Sequence, residues 1–127
     1  MGTTRKTTRR TTIAIVDDDS GVRTALRELL RSMGFDAVTF GSAEEFLAST
    51  REDIDCLIAD VHLPGMSGAA LVQTLAKAGA ALPALLITAH DDPATLELIR
   101  RTGPIPHLRK PFSDDELVQT IRRALAA

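Results

Sequence analysis

The sequence predicts an α/β fold: a doubly wound, five-stranded parallel sheet with helices on both faces. Five short apolar segments alternate with five segments of helical periodicity along the 127 residues. Alternation at this spacing favours parallel strands joined by right-handed helical crossovers, which place helices on both faces of the sheet. The strand segments are almost wholly apolar, as expected of strands that are buried on both sides.

Composition indicates one globular domain and excludes several classes of protein. Hydrophobic residues make up 44% and charged residues 25%, which is ordinary for a globular domain. The net charge of −2 gives no general attraction to nucleic acid or to anionic membranes. Cys56 is the one cysteine, so no intrachain disulfide forms and a cytoplasmic location is expected. No apolar run approaches the length of a membrane span.

The chain begins with a segment of different composition. Residues 1–11 are polar, threonine-rich and basic, so we expect a disordered tail there and one domain over 12–127. The β-branched residues 12–16 predict the first strand. Ser20 is the predicted N-cap of the first helix, whose apolar residues recur at helical spacing until Gly34 ends it.

The middle of the chain contains two further strands and two helices. Residues 36–40 predict the second strand, and Ser42 with a glutamate three residues later forms a capping box for a short helix. Residues 56–59 are too few and too apolar for a helix, which predicts a buried strand with Asp60 at its carboxyl end. A proline–glycine turn follows, and Ser67 can cap the next helix.

The last third repeats this pattern. Residues 84–88 predict the fourth strand, and the Asp-Asp-Pro sequence at 91–93 starts the fourth helix. Residues 105–108 predict a short last strand, which two nearby prolines restrict to the edge of the sheet. Ser113 and Glu116 form a second capping box, which opens the final helix.

Carboxylates follow two of the predicted strands. Asp17 and Asp18 come directly after the first strand, and Asp60 ends the third. Doubly wound sheets with this alternation commonly have the order 2-1-3-4-5, and their ligands bind beside the carboxyl ends of strands 1 and 3. We therefore expect these three carboxylates to meet in one crevice. Asp19 is interpreted as a turn or helix-start residue.

Three carboxylates in one crevice repel each other unless positive charge is present. Mg²⁺ suits such a site, because it takes oxygen ligands from carboxylates, waters and phosphates. Lys110 directly follows the last strand and offers an ammonium group, so that one Mg²⁺ and one lysine balance the three acids. A phosphoryl group on Asp60 would then lie between metal and lysine, and Thr88 offers it a hydroxyl donor.

These segments together resemble the receiver domain of two-component response regulators, most closely receivers of nitrogen-fixation-type regulators. The resemblance covers about residues 12–126 and implies the flavodoxin-like (βα)5 fold with strand order 2-1-3-4-5. It also implies a regulatory phosphoacceptor domain, which is not an enzyme in the usual sense. The matching segments are Asp17-Asp18, Asp60 with 64–68, Thr88-Ala89 and Lys110-Pro111-Phe112.

The resemblance implies roles for individual residues. Asp60 accepts a phosphoryl group from a phosphohistidine on a sensor histidine kinase or a histidine phosphotransfer protein. Asp18, Asp60 and the backbone carbonyl of His62 ligate Mg²⁺, and Asp17 acts mainly through metal-bound water. Thr88 and Lys110 then bind the phosphoryl group.

Phosphorylation is expected to switch the surface formed by the fourth helix, the fifth strand and the fifth helix, for a protein partner or a homodimer. In the family an aromatic residue on strand 5 turns inward during the switch. His107 occupies that position here and departs from the usual tyrosine or phenylalanine. The alternative interpretation is an exposed edge-strand histidine without a signalling role.

His62 and His90 lie two residues beyond Asp60 and Thr88. One interpretation is that they tune the lifetime of the phosphoryl group by steering or blocking the attacking water. The alternatives are solvent-exposed positions of no special role and ligands of a transition metal, since imidazole suits such ions.

Two functions of other classes remain open. Asp17-x-Asp19 resembles the nucleophile motif of haloacid-dehalogenase-type phosphatases, in which Asp17 would be the nucleophile of a small aspartate-dependent phosphatase. The other is an interaction module of the same fold that works without phosphorylation. No helix-turn-helix segment follows, so we expect no contact with nucleic acid by this chain. It is either a stand-alone receiver or part of a longer protein.

Overall fold

The computed structural model describes residues 10–50 and 52–126. Residues 1–9 of the predicted tail lie outside the described residues. The described chain forms one parallel sheet of five strands in the order β2-β1-β3-β4-β5, which confirms the predicted fold and strand order. The strands are β1 (Thr12–Val16), β2 (Asp36–Phe40), β3 (Cys56–Asp60), β4 (Ala84–Thr88) and β5 (His107–Arg109).

In the part of the chain that the structure describes, five helices connect and follow these strands. The five helices are α1 (Ser20–Ser32), α2 (Ala43–Ala48), α3 (Gly68–Lys77), α4 (Pro93–Arg100) and α5 (Asp114–Ala126). Within the described residues, none of these helices combines the length and the apolar character that a membrane crossing requires.

Alternate residues of the strands pack into two separate apolar clusters, because successive side chains of a strand point to opposite faces. One cluster joins the sheet to α1 and α5, and the other joins it to α2, α3 and α4. The first contains Ile13, Ile15, Ile58, Leu85 and Ile87 with Leu26, Leu30, Leu117 and Ile121. The second contains Ala14, Val16, Leu57 and Leu86 with Phe46, Leu71, Leu75 and Ile99.

Hydrogen bonds at the helix starts mostly follow the sequence signals. Ser42 Oγ accepts the N–H of Glu45 at 3.0 Å. Ser113 and Glu116 form the full reciprocal box: the Ser113 N–H donates to Glu116 Oε1 at 2.8 Å, and Ser113 Oγ accepts the Glu116 N–H at 3.1 Å. Ser67 caps α3 by accepting the N–H of Ala70 at 3.0 Å.

The predicted N-cap of α1 is wrong by one residue. Asp19 is the cap, and its Oδ1 accepts the N–H groups of Gly21 at 2.8 Å and Val22 at 3.2 Å. Ser20 is the first residue of the helix instead. A carboxylate at this position also interacts favourably with the positive end of the helix dipole, which a serine hydroxyl does only weakly.

The last strand is shorter and later than predicted, since β5 covers His107–Arg109 rather than 105–108. Pro106 has no N–H to donate, and its carbonyl accepts the Leu86 N–H at 3.0 Å just before the strand begins. At the other end, the Lys110 N–H donates to the Thr88 carbonyl at 2.8 Å. These two bonds align the end of β5 with the end of β4, and β5 is the edge strand, as expected.

Candidate functional site

Two buried carboxylates meet at the carboxyl edge of the sheet. Asp17 directly follows β1 and is 1% exposed, and Asp60 ends the neighbouring β3 and is 8% exposed. The Lys110 ammonium joins them, with Nζ 3.1 Å from Asp17 Oδ2 and 2.8 Å from Asp60 Oδ2. Residues from three separate strand ends therefore form one ion-pair cluster.

Backbone groups fix the second oxygen of each carboxylate. Asp17 Oδ1 accepts the N–H of Asp19 at 2.9 Å, and Asp60 Oδ1 accepts the N–H of His62 at 2.8 Å. Both are hydrogen bonds to the residue two positions later, which is the arrangement of an Asx turn. Each carboxylate is thus oriented by its own turn on one side and by Lys110 on the other.

Burial and charge act in opposite directions on this cluster. Burial raises the pKa of the Asp17 carboxyl, and the Asp19 N–H and Lys110 only partly offset that rise. Burial alone would lower the pKa of Lys110, but hydrogen bonds and charges from Asp60 and Asp17 outweigh it, so that pKa is raised. Lys110 therefore stays protonated at neutral pH.

Asp18 lies outside the buried pair, because its side chain is exposed. Within residues 10–50 and 52–126, no group of three or more His, Cys, Asp and Glu side chains is arranged to hold a metal ion. The donor chemistry nevertheless fits a hard divalent cation. Asp17 and Asp60 carry two negative charges against one positive charge from Lys110, and carboxylate oxygens are ligands that such a cation takes.

Thr88 ends β4 and is 1% exposed. Its Oγ1 accepts the N–H of His90 at 3.0 Å, so the hydroxyl is engaged with the loop that follows the strand. Thr88 and Lys110 are joined by the backbone bond between β4 and the end of β5.

His62 and His90 lie side by side, with ring centroids 4.6 Å apart in an edge-to-face arrangement. His62 also reaches the first turn of α4, where its Nε2 is 2.8 Å from Thr95 Oγ1. Thr95 Oγ1 in turn donates to Asp92 Oδ1 at 2.7 Å. Sequence reasoning recognised Asp92 as part of a helix start but missed Thr95, because nothing local links it to a histidine 33 residues away.

Gly68 belongs to the 64–68 segment of the resemblance, but sequence reasoning assigned it no structural role. A Cβ at this position would lie 2.1 Å from the carbonyl oxygen of Asp60, so only glycine lets α3 begin this close to the end of β3. Glu44 holds the preceding loop, since its Oε2 accepts the N–H of Met66 at 2.9 Å. That hydrogen bond lowers the pKa of Glu44. The one available signal was a glycine immediately after the predicted cap Ser67.

Comparison with known proteins decides the family. A family model described as the response regulator receiver domain matches residues 13–122. The chain belongs to the response regulator receiver family. It is therefore a phosphoacceptor signalling domain of the two-component type.

Relatives of this receiver domain are found among curated proteins and solved structures. Nodulation protein W of Bradyrhizobium diazoefficiens is 40% identical over 111 residues, which cover 86% of this chain and 48% of that protein. Response regulator protein TodT of Pseudomonas putida is 39% identical over 119 residues, which cover 92% and 52%. The chain spans about half the length of these two relatives.

The structure of chemotaxis protein CheY4 from Vibrio cholerae matches this receiver domain with a TM-score of 0.82 and 26% sequence identity. The match covers 92% of this chain and all of that one. A solved structure thus has the same fold over nearly the full length of the receiver domain.

His107 of this receiver domain lies on β5 with its side chain exposed. The next residue, Leu108, is buried against α5, and Arg109 forms an ion pair with Asp91 at 2.6 Å. The side chain predicted to turn inward therefore points to solvent in this structure.

Proposed function

We propose that Asp60 accepts a phosphoryl group from the phosphohistidine of a sensor histidine kinase or a histidine phosphotransfer protein, in the cytoplasm. The observation that carries this proposal is the difference in access between the two paired carboxylates. The Asp60 side chain is 11% exposed, whereas that of Asp17 is 1% exposed. A nucleophile must reach the incoming phosphorus, and Asp60 is the better placed of the two.

The proposed transfer breaks the bond between phosphorus and the donor imidazole and forms a bond between phosphorus and an Asp60 oxygen. Catalysis of such transfers depends mainly on positioning and on neutralising charge. The His62 N–H and Lys110 hold the Asp60 carboxylate in place, and Lys110 remains protonated to meet the phosphoryl oxygens.

Asp17, Asp18, Asp60 and the backbone carbonyl of His62 would hold Mg²⁺, which supplies positive charge against the phosphoryl oxygens when it is bound. Asp17 supports this role because its buried charge is only partly compensated within the protein. Asp18 is exposed and hence accessible to a hydrated cation.

The proposed response begins at Thr88. An acyl phosphate adds about 1.5 to 2 negative charges and three strong acceptor oxygens. The Thr88 hydroxyl, which donates to the His90 carbonyl at 3.4 Å, then turns its proton to a phosphoryl oxygen and gives up that bond, which changes the loop before α4. The surface of α4, β5 and α5 is the proposed output, read by a protein partner or by a second copy of the chain.

Three histidines have proposed roles in this scheme. The His62 N–H donates to Asp60, and the His90 ring packs against that of His62, so this pair would set the lifetime of the phosphoryl group by controlling water access. His107 would act as the switch residue of β5 only if it turned inward. Phosphorylation-dependent dimerisation that is unchanged in His107→Ala would remove that role.

Phosphorylation by a small donor tests the central proposal. The chain is incubated with Mg²⁺ and phosphoramidate, and intact mass is measured for the natural chain, Asp60→Asn, Asp17→Asn and Asp91→Asn. We expect one added phosphoryl group in the natural chain, none in Asp60→Asn and slower addition in Asp17→Asn. Asp91→Asn is the control, because Asp91 pairs with Arg109 at the surface.

The same experiment separates the two rival functions. Modification that survives Asp60→Asn and disappears in Asp17→Asn would indicate a phosphatase-like nucleophile at Asp17. No modification of the natural chain by phosphoramidate or acetyl phosphate would favour an interaction module.

A further inference from the structure

His62 contacts both the phosphoacceptor and a distant helix. Its backbone N–H donates to Asp60 Oδ1 at 2.8 Å. Its ring Nε2 lies 2.8 Å from Oγ1 of Thr95, in the first turn of α4. One residue therefore connects the end of β3 with α4 directly, without passing through β5.

The direction of this hydrogen-bond chain follows from its far end. Thr95 Oγ1 has one proton, and Asp92 Oδ1 at 2.7 Å is a carboxylate oxygen that can only accept. The hydroxyl proton therefore points to Asp92, and Thr95 Oγ1 accepts from His62, whose Nε2 carries a proton. Hydrogen bonds from Thr95 lower the pKa of Asp92, which keeps that acceptor ionised.

The hydrogen-bond chain ends at the N-cap of α4. Asp92 is the N-cap of this helix, and its other oxygen accepts the Thr95 N–H at 3.2 Å. Thr95 is 0% exposed while His62 lies against its hydroxyl. A shift of His62 is thereby passed to the cap and to the first turn of the helix.

Thr88 is also connected to His62, through His90. Its Oγ1 holds the His90 N–H, and the His90 ring packs against that of His62. Both residues that respond to a phosphoryl group in the proposed function, Asp60 and Thr88, are thus connected to the histidine pair above α4.

We infer that His62 is a positioning residue that couples phosphorylation of Asp60 to α4 through Thr95 and Asp92. This inference rests on the proposed function. An acyl phosphate turns the charged acceptor of the His62 N–H into a neutral one, and bonds to charged acceptors are about twice as strong as neutral ones. His62 is then released from the turn that positions it, and its ring no longer holds Thr95 in the same way. The exposed His107 is not required for this route.

Hydrogen–deuterium exchange of the α4 amides tests the coupling in the full chain, with and without phosphoramidate and Mg²⁺. Intact mass measured in parallel gives the fraction phosphorylated. In Thr95→Val we expect phosphorylation equal to that of the natural chain. Because coupling between sites is usually worth at least fivefold, the phosphorylation-dependent change in α4 exchange should shrink by roughly fivefold or more.

Four further variants complete the design. Thr95→Ser keeps the hydroxyl and should keep the response. Thr120→Val is the matched control, because Thr120 is 1% exposed and its hydroxyl donates only within α5, to the Glu116 carbonyl at 2.7 Å. His62→Gln places an amide N–H near the position of Nε2, so the α4 response per phosphorylated molecule should be kept. His62→Met offers no donor there, so this response should be lost.

A full α4 response in Thr95→Val, or equal responses in His62→Gln and His62→Met, would overturn the coupling while leaving the phosphoacceptor role intact. A change in phosphoryl lifetime without any change in the α4 response would also overturn it. No phosphorylation of the natural chain would overturn both proposals.

Discussion

At the scale of single residues, burial of the Asp17 carboxylate lowers the stability of the folded chain at neutral pH. It is a carboxylate with 1% exposure, and Lys110 is shared between it and Asp60. Burial raises the pKa of Asp17 above its ordinary value of 3.8. The folded chain therefore binds this proton more tightly than the unfolded chain does, and its stability falls as the pH rises from 3.8 through the raised pKa.

Asp17→Asn should consequently raise the free energy of unfolding at neutral pH, because it removes a buried charge and keeps an oxygen that can accept the Asp19 N–H. Urea unfolding in the presence of a chelator measures the effect. The difference in the free energy of unfolding between Asp17→Asn and the natural chain should decrease as the pH falls toward 3.8, because the natural carboxyl also becomes neutral. Asp18→Asn, at an exposed position, should change little. A difference in the free energy of unfolding that increases on acidification would contradict the raised pKa of Asp17.

At the scale of elements, the structure follows local signals where those signals are unambiguous. Ser42, Ser67 and the pair of Ser113 and Glu116 cap their helices as the sequence predicts. The start of α1 was ambiguous, because a run of aspartates precedes Ser20 and each of these side chains can cap a helix. The bounds of β5 were misjudged because hydrophobicity suggested a strand where prolines prevent regular pairing.

Cap substitutions at α1 test the corrected assignment. Asp19→Ala should lower the free energy of unfolding by about 1 kcal/mol, since two backbone N–H groups lose their acceptor. Ser20→Ala should leave it nearly unchanged, because alanine is a good first residue of a helix. Urea unfolding of both variants measures these two changes in the free energy of unfolding. The reverse order of effects would place the cap at Ser20.

At the scale of the whole molecule, strand order brings the site together. Asp17 and Lys110 are 93 residues apart in sequence, and Asp60 lies between them. Their meeting was predictable, because parallel strands in the order 2-1-3-4-5 place these carboxyl ends at the same edge of the sheet. The contact of His62 with Thr95 was not predictable, since it depends on the conformations of two loops. The exposure of Asp18 and the close approach of Gly68 to Asp60 depend on backbone details of the same kind.

The central claim is that Asp60 carries the phosphoryl group, and chemical trapping of the acyl phosphate tests it most directly. The chain is phosphorylated with phosphoramidate and Mg²⁺ and reduced with borohydride, which converts a phosphorylated aspartate into homoserine. Peptide sequencing by mass spectrometry then locates that residue. We predict homoserine at position 60 alone. Homoserine at position 17, or its absence from position 60 in a chain that has gained phosphoryl mass, would contradict the account.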